Sequence, residues 1–209
     1  MKDYFIHRKN FYKKILHIRL GIMAYKFNFL FDRAVECLDL GNIFYECGVG
    51  RGGSAAFFAK LLEDANSQGY NLQLHLFDTF EGMPETDPKY DSHKKGDIPS
   101  DFEDTKKHIE SFLTTSNFIH YHKGLIPDTF VGLEEHKIAF AHIDVDLYSS
   151  YKACCEFIYP RLVKNGVMAF DDYGHDCCRG AKTAVDEYFS KMNKPVLKID
   201  PFQHYVEKD

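Results

Sequence analysis

Two acidic pairs that each follow an apolar run are the residues best suited to chemistry in this chain. The pairs are Asp144 with Asp146 and Asp171 with Asp172, and they begin 27 residues apart. Apolar runs of this length predict buried strands, and the spacing fits one helical crossover between parallel strands. We therefore expect the four carboxylates to gather at the carboxyl ends of neighbouring strands, where open α/β sheets bind their ligands.

The four acids predict a cation site. Carboxylates gathered in one place repel one another unless a cation or a proton neutralises them. Because hard cations prefer oxygen ligands, the pattern indicates Mg²⁺ or a similar divalent ion, with at least one carboxylate left to act on a substrate. Strand-end capping or surface solubility would explain one such acid, but it explains two pairs placed directly after apolar strands less well.

A glycine-rich turn follows the first predicted strand, residues 43–47. It runs from Glu46 to Ser54 and precedes a predicted helix over 55–65. Strand, glycine loop and helix in this order form the nucleotide-binding opening of a doubly wound sheet. The glycine spacing differs from the G-x-G-x-x-G dinucleotide fingerprint, which argues against a nicotinamide-dependent dehydrogenase.

Asp78 directly follows the second predicted strand, residues 72–77. Doubly wound folds use an acid at this point to bind the hydroxyls of a ribose. A helix cap or turn former is the alternative role for an aspartate here. Beside the glycine loop, ribose binding is the favoured interpretation.

The order of the elements predicts a doubly wound, mainly parallel α/β sheet with helices on both faces and an antiparallel C-terminal strand. We predict one domain over 1–209, with a helical arm at 1–41 and a core at 42–209. Residues 81–100 contain three prolines and two glycines without periodicity, which is typical of a lid or a disordered loop. The apolar arm favours a homo-oligomer.

Composition narrows the class of protein. The chain has 209 residues, of which 44% are hydrophobic and 27% charged, as in globular proteins. Its net charge of −5 argues against a nucleic-acid partner. No apolar run is long enough to span a membrane and no signal-peptide pattern is present, so we expect no membrane partner and a cytoplasmic location. The six cysteines include no C-x-x-C pair, which argues against disulfides and zinc ligation.

Other candidate side chains are assigned mainly structural roles. His120 and His122 share one face of a predicted strand, and His142 lies within an apolar run, so all three are expected to be structural. Tyr148 and Tyr173 are expected to pack beside the sheet edge. His175 follows the second acidic pair, where contact with a metal or substrate is the lesser alternative; these side chains are His120, His122, His142, His175, Tyr148 and Tyr173.

Five segments, in order, resemble the macrocin O-methyltransferase family. Members of that family are class I, S-adenosylmethionine-dependent and metal-dependent enzymes that methylate sugar hydroxyls. The resemblance covers roughly residues 43–190, and five motifs in matching structural positions make it specific. The segments are 46–54, 77–84, 142–148, 171–174, and Gly180 with 184–187.

The resemblance implies a role for each motif. For S-adenosylmethionine it implies the methionine part on the glycine loop, the ribose on Asp78, and the adenosine beside the next two residues; these positions are Glu46, Gly48, Gly50, Gly52, Ser54, Asp78, Thr79 and Phe80. It implies that Mg²⁺ binds to Asp144, Asp171 and Asp172, holds two neighbouring substrate oxygens and lowers the pKa of one. Asp144 or Asp146 would then accept the proton.

The expected function is Mg²⁺-dependent O-methylation of a small-molecule hydroxyl acceptor, a sugar or glycosylated compound. A catechol-like acceptor is an alternative, since the metal would act in the same way. A cofactor-binding protein of the same fold without turnover is another. The N-terminal arm is short for the family and the segment 86–99 looks individual, so the acceptor is the least transferable part of the resemblance.

Overall fold

The sheet follows the predicted order of elements. The computed structural model describes residues 2–20, 26–199 and 202–209, and within them seven strands form one sheet in the order β3-β2-β1-β4-β5-β7-β6. The first five strands of that order run parallel, whereas β7 is antiparallel to β5 and β6 to β7. This confirms the predicted doubly wound, mainly parallel sheet with an antiparallel C-terminal end. The strands are β1 (Ile43–Cys47), β2 (Gln73–Asp78), β3 (Ile119–Lys123), β4 (Ile138–Ile143), β5 (Leu162–Phe170), β6 (Leu197–Lys198) and β7 (His204–Glu207).

Helices cover both faces of the sheet. Because side chains alternate along a strand, Phe44 of β1 joins the core on one face while Tyr45 joins the core on the other. The first core contains apolar residues of α1 to α5, and the second contains those of α6 and α7. Across the described residues, no helix is long and apolar enough to cross a membrane. The helices are α1 (Lys2–His7), α2 (Lys9–Leu20), α3 (Phe27–Cys37), α4 (Gly53–Ser67), α5 (Phe102–Glu110), α6 (Tyr148–Arg161) and α7 (Arg179–Ser190).

The predicted N-terminal arm packs onto the first core. On α3, the ring of Phe27 lies 5.1 Å from the ring of Phe57 on α4, and Phe31 stacks on Phe27 at 5.4 Å. Residues 1 and 21–25 of the predicted arm lie outside the described part of the chain. The packing of α3 matters for function because it brings Lys26, directly before this helix, to the acidic residues after β4 and β5.

Hydrogen bonds beyond the strand ends hold the functional loops in register. The backbone N–H of Gly48 donates to Phe77 at 2.9 Å, and that of Asp144 donates to Cys47 at 2.8 Å. Gly48 has a φ of +86°, and a Cβ at this position would stand 1.7 Å from the carbonyl oxygen of Asp144. The glycine is therefore required by the close approach of the loop after β1 to the acids after β4.

The loop over residues 81–100 forms neither helix nor strand, and it is folded against α6. Asp91 Oδ1 accepts a hydrogen bond from the backbone N–H of Tyr148 at 2.9 Å. The ring of Tyr90 stacks on that of Tyr148 with centroids 4.1 Å apart. These contacts place the loop beside the acidic residues that precede α6, although its predicted role as a lid remains a prediction.

Candidate active site

A cavity of about 360 Å³ lies at the carboxyl ends of β1, β2 and β4. The glycine loop forms part of its wall, and Asp144, Asp146 and Asp172 form another part. Apolar side chains complete the lining, among them Met83, Pro84, Ile98, Leu125 and Ile126. The predicted cofactor loop and three of the four predicted acids therefore face one shared space.

Five of the eight predicted cofactor residues line this cavity: Gly48, Gly50, Ser54, Asp78 and Thr79. Gly52 instead allows α4 to approach α5, because a Cβ there would stand 3.0 Å from Ile109 and 3.1 Å from Thr105. Phe80 is buried and packs edge to face on Phe102, with ring centroids 5.0 Å apart. Gly52 and Phe80 thus shape the walls rather than face the cavity.

Asp78 fixes the glycine loop from below. Its Oδ2 accepts hydrogen bonds from the backbone N–H groups of Val49 and Gly50, both at 2.8 Å, and its Oδ1 accepts one from Phe80 at 2.7 Å. The carboxylate also lines the cavity. Its position fits the predicted ribose contact, and it has a second role that the sequence did not reveal, which is to order the loop.

Glu46 is fully buried behind the cavity lining. Its Oε1 lies 3.1 Å from Nδ1 of His142, while its Oε2 has no hydrogen-bond partner among the described residues. A buried carboxylate oxygen without a partner is costly. This orphaned oxygen fits a cationic ligand group, as the ammonium of the methionine part of S-adenosylmethionine would provide.

His142 links Glu46 to the acidic cluster. It is fully buried, as expected, and its Nε2 lies 3.8 Å from Oδ1 of Asp171. Burial lowers its pKa, but the interactions with Asp171 and Glu46 outweigh burial and raise the pKa to about 9. His142 is therefore a buried cation between two carboxylates, in addition to being part of the core.

Lys26 lies inside the acidic cluster, which no sequence pattern indicated. Its Nζ is 3.0 Å from Oδ2 of Asp144 and forms a second ion pair with Asp171. Only 1% of the Lys26 side chain is exposed. The other oxygen of Asp171 accepts a hydrogen bond from Nε2 of Gln203 at 2.6 Å. Asp171 therefore lies behind the cavity with partners on both oxygens.

Asp146 and Asp172 form the second half of the cluster. Oδ2 of Asp172 accepts hydrogen bonds from the backbone N–H of Asp146 at 3.1 Å and from the hydroxyl of Tyr151 at 3.0 Å. Asp146 has a φ of 57°, in the left-handed region that non-glycine residues rarely adopt. Its Oδ1 accepts a hydrogen bond from Sγ of Cys178 at 3.2 Å, and Nε2 of His93 lies 3.7 Å away.

The acids carry more negative charge than the surrounding cations neutralise. Burial and the neighbouring carboxylates raise the pKa of Asp172 well above its usual value, and burial followed by the charge of Asp171 raises that of Asp144. Burial also raises the pKa of Asp146. Burial acts in the same direction on Asp171, but the charge of Lys26 outweighs it and lowers the pKa of Asp171.

The donor set fits a hard divalent cation. Asp144, Asp171 and His142 offer ligand atoms within 4.8 Å of one another, and Asp146, Asp172 and Cys178 form an adjoining group of the same size. The predicted trio of Asp144, Asp171 and Asp172 is thus divided between two groups. Lys26 is a protein cation bound to two members of the trio, which shows that a positive charge is favoured there.

The remaining candidates have packing roles. The ring of His175 stacks on Phe202 with centroids 4.2 Å apart, and Tyr173 packs on His204 at 4.1 Å. His120 and His122 stack on His75, at 4.5 and 5.2 Å. These contacts agree with the structural roles expected for both strand histidines and for Tyr173; the stack of Tyr148 on Tyr90 does the same for that residue.

Comparison with known proteins gives a family match over most of the chain. The model of the macrocin-O-methyltransferase (TylF) family matches residues 33–208. A Streptomyces olivaceus protein, 8-demethyl-8-(2,3-dimethoxy-alpha-L-rhamnosyl)-tetracenomycin-C 4'-O-methyltransferase, is 29% identical over 167 residues, which are 74% of this chain and 61% of that protein. Demethyldecarbamoylnovobiocin O-methyltransferase of Streptomyces niveus is 24% identical over 156 residues, 71% of this chain and 58% of that protein. The chain thus spans about three fifths of the length of these curated relatives.

Two solved structures show the same fold. The O-methyltransferase NovP superposes with a TM-score of 0.73 at 20% identity, covering 97% of this chain and 80% of NovP. The calicheamicin methyltransferase CalS11 gives a TM-score of 0.70 at 20% identity, covering 97% of this chain and 91% of CalS11. At these identities the likeness concerns the fold, which agrees with the class I methyltransferase architecture expected from the sequence.

Proposed function

The chain belongs to the macrocin O-methyltransferase family, and from this membership and the geometry of the site we propose that it transfers a methyl group from S-adenosylmethionine to a hydroxyl of a sugar or glycosylated small molecule. One observation carries the proposal: the glycine loop and Asp144, Asp146 and Asp172 line the same cavity. A methyl donor on the loop and a hydroxyl at the acids would then be neighbours. The rhamnosyl group in the name of the Streptomyces olivaceus relative supports a sugar acceptor.

Residues of the β1 and β2 ends would hold the methyl donor. The unpartnered Oε2 of Glu46 would pair with the ammonium of the methionine part. Gly48 and Gly50 would give the ligand access to the backbone of the loop, and Asp78 would accept from the ribose hydroxyls while it keeps the loop in place. Thr79, which also lines the cavity, would lie beside the adenosine.

Asp146 is the proposed general base. It faces the cavity, and its interactions are with a thiol and an imidazole, whereas Asp144 is paired with Lys26. The raised pKa of Asp146 brings the carboxylate closer to the range in which it accepts a proton well. In the reaction the acceptor oxygen forms a bond to the methyl carbon, the sulfur–carbon bond of the donor breaks, and the hydroxyl proton passes to Asp146.

Asp144, Asp171 and Asp172 would hold a divalent cation such as Mg²⁺. When bound, the cation would supply positive charge that lowers the pKa of the acceptor hydroxyl. For Asp171 to become a ligand, its carboxylate must exchange Lys26 for the ion. Tyr151 would keep Asp172 oriented through its hydrogen bond to Oδ2.

Calorimetry of the purified chain with S-adenosylhomocysteine and with NAD⁺, in separate titrations, tests the donor site. We expect saturable binding of S-adenosylhomocysteine at one site per chain and none of NAD⁺. Binding of NAD⁺ without binding of S-adenosylhomocysteine would overturn the proposal.

A further inference from the structure

A second group of metal-ligating side chains lies at the rim of the cavity, on three different segments. It consists of His93 on the loop over 81–100, Cys177 and Cys178 directly before α7, and Asp146 after β4. The two cysteines precede α7 in a short turn of 3-10 helix, Asp176–Cys178. The spacing rules for zinc motifs did not reveal the group, because its members are brought together by the fold and the two thiols are adjacent in sequence.

The distances within this group are those of a tetrahedral centre. Sγ of Cys178 lies 3.6 Å from Sγ of Cys177, 3.9 Å from Nε2 of His93 and 3.2 Å from Oδ1 of Asp146. Nε2 of His93 lies 3.7 Å from the same Asp146 oxygen. With metal–ligand bonds of about 2.0–2.3 Å, neighbouring ligand atoms of tetrahedral Zn²⁺ stand roughly 3.3–3.8 Å apart.

The chemistry and the access of the group also fit a thiophilic cation. Two sulfurs, one imidazole nitrogen and one carboxylate oxygen are ligands that Zn²⁺ prefers, whereas Mg²⁺ prefers oxygen. Cys177 is exposed, and His93 and Asp146 keep 21% and 19% of their side chains exposed, so an ion can reach the group from solvent. Cys178 is buried and completes the inner side.

We propose that His93, Cys177, Cys178 and Asp146 form a binding site for Zn²⁺ or another thiophilic divalent cation, separate from the hard-cation site at Asp144 and Asp171. Binding displaces the thiol protons, including the one that Cys178 donates to Asp146, and these protons leave to solvent. The bound ion joins the loop over 81–100 to the start of α7. On the proposed function of Asp146 as the base, the ion also removes this carboxylate from the acceptor and stops turnover.

Titration of the metal-free, reduced, full-length chain with Co²⁺ tests the site directly. Thiolate ligation gives a near-ultraviolet sulfur-to-cobalt charge-transfer band, and tetrahedral geometry gives intense visible bands. We expect both at one Co²⁺ per chain, with displacement by Zn²⁺. The double variant Cys177→Ala/Cys178→Ala should lose the charge-transfer band, and His93→Ala should weaken Co²⁺ binding about tenfold or more.

The controls separate this site from the other thiols and from catalysis. Cys37→Ala removes a buried cysteine on α3 and should leave the Co²⁺ spectrum unchanged. Absence of the charge-transfer band in the unmodified chain, or its persistence in the double variant, would overturn the proposal. Because the spectrum requires no methyl transfer, it decides the matter even if the proposed function fails. In an active preparation, Zn²⁺ added in excess Mg²⁺ should lower the rate for the unmodified chain and less so for Cys177→Ala.

Discussion

The Nζ atom of Lys26 lies 3.0 Å from Oδ2 of Asp144, within the acidic cluster that follows β4 and β5. The same ammonium is ion-paired with Asp171, and both Lys26 and Asp171 are almost fully buried. Burial would lower the pKa of Lys26, but the charges of Asp144 and Asp171 outweigh it and raise this pKa. Lys26 therefore stays charged and occupies ligands that a divalent cation would need.

Replacing Lys26 by Met should strengthen the binding of a divalent cation. An ammonium about 4 Å from a carboxylate contributes on the order of 1–4 kcal/mol near a protein surface or in water, so we expect at least about a tenfold gain in affinity for Mn²⁺ as a probe of the Mg²⁺ site. The metal-free variant should also be less stable, because two buried carboxylates lose their counter-ion. Calorimetry and thermal unfolding with and without Mn²⁺ measure both effects.

The control for this experiment is Lys9→Met. Lys9 forms an ion pair with Asp32 on the surface, so the variant also loses one lysine charge and one ion pair. It should bind Mn²⁺ as the unmodified chain does. If Lys26→Met bound Mn²⁺ no better than Lys9→Met, Lys26 would not compete with the cation.

The substitution Glu46→Gln should weaken the binding of S-adenosylhomocysteine. The change keeps the shape of the side chain and removes the charge that the orphaned Oε2 would direct at the ammonium of the ligand. A hydrogen bond to a charged group is worth roughly 1.5–3 kcal/mol, which corresponds to about a tenfold to hundredfold loss of affinity. Calorimetry checks this, with the surface substitution Glu36→Gln on α3 as control; equal affinities for the two variants would exclude Glu46 from the donor site.

The substitution Asp146→Asn should lower kcat with little effect on donor binding. Asparagine tolerates the left-handed backbone at this position and cannot accept the proton, so we expect a loss of about 10²–10⁴-fold. The readout is initial rate against acceptor concentration. Asp186→Asn, on the outer part of α7, should keep its rate; a kcat for Asp146→Asn within a few-fold of that control would assign the base elsewhere.

A histidine cluster between β2 and β3 should make stability fall at acid pH. Burial, followed by the charges of neighbouring histidines, lowers the pKa of His75 to about 3 and that of His122 to about 4. The unfolded chain binds these protons near pH 6.5, so the stability contributed by the neutral rings is complete above about pH 6.5 and is lost as the pH falls towards 4 and 3. His120 and His136 face the same group and add to the repulsion.

Urea unfolding at about pH 7.5 and about pH 5 measures this effect. His75→Phe removes one titrating ring from the stack and should reduce the loss in the free energy of unfolding between the two pH values. His7→Phe, at an exposed position on α1, should leave that loss unchanged. Equal losses for both variants would show that the cluster does not govern acid stability.

The elements were predictable because their signals are local. Apolar runs ending in acids predict strands whose carboxyl ends carry function, and this located Asp144, Asp146, Asp171 and Asp172 at one edge of the sheet. Gly48 was identified by its place after β1, and the close approach to the carbonyl of Asp144 explains it. The fold class followed from the alternation of strands and helices.

The partners of these acids could not be predicted because they come from distant parts of the chain. Lys26 lies 118 residues before Asp144, and nothing in its own surroundings distinguishes it from a surface lysine. His93 belongs to a loop without periodicity, and its position beside Asp146 depends on how that loop folds on α6. Gly52 and Phe80 belong to motifs but face neighbouring helices, which only packing determines.

Transfer of a labelled methyl group from S-adenosylmethionine to a panel of free and glycosylated sugars, with Mg²⁺ and with chelator, tests the central claim most directly. The account predicts label in at least one sugar hydroxyl with Mg²⁺, loss of transfer in chelator, and recovery when Mg²⁺ is restored. Undiminished transfer in chelator would contradict the role of the cation. Absence of label from every hydroxyl acceptor, in a preparation that binds S-adenosylhomocysteine, would contradict sugar O-methylation itself.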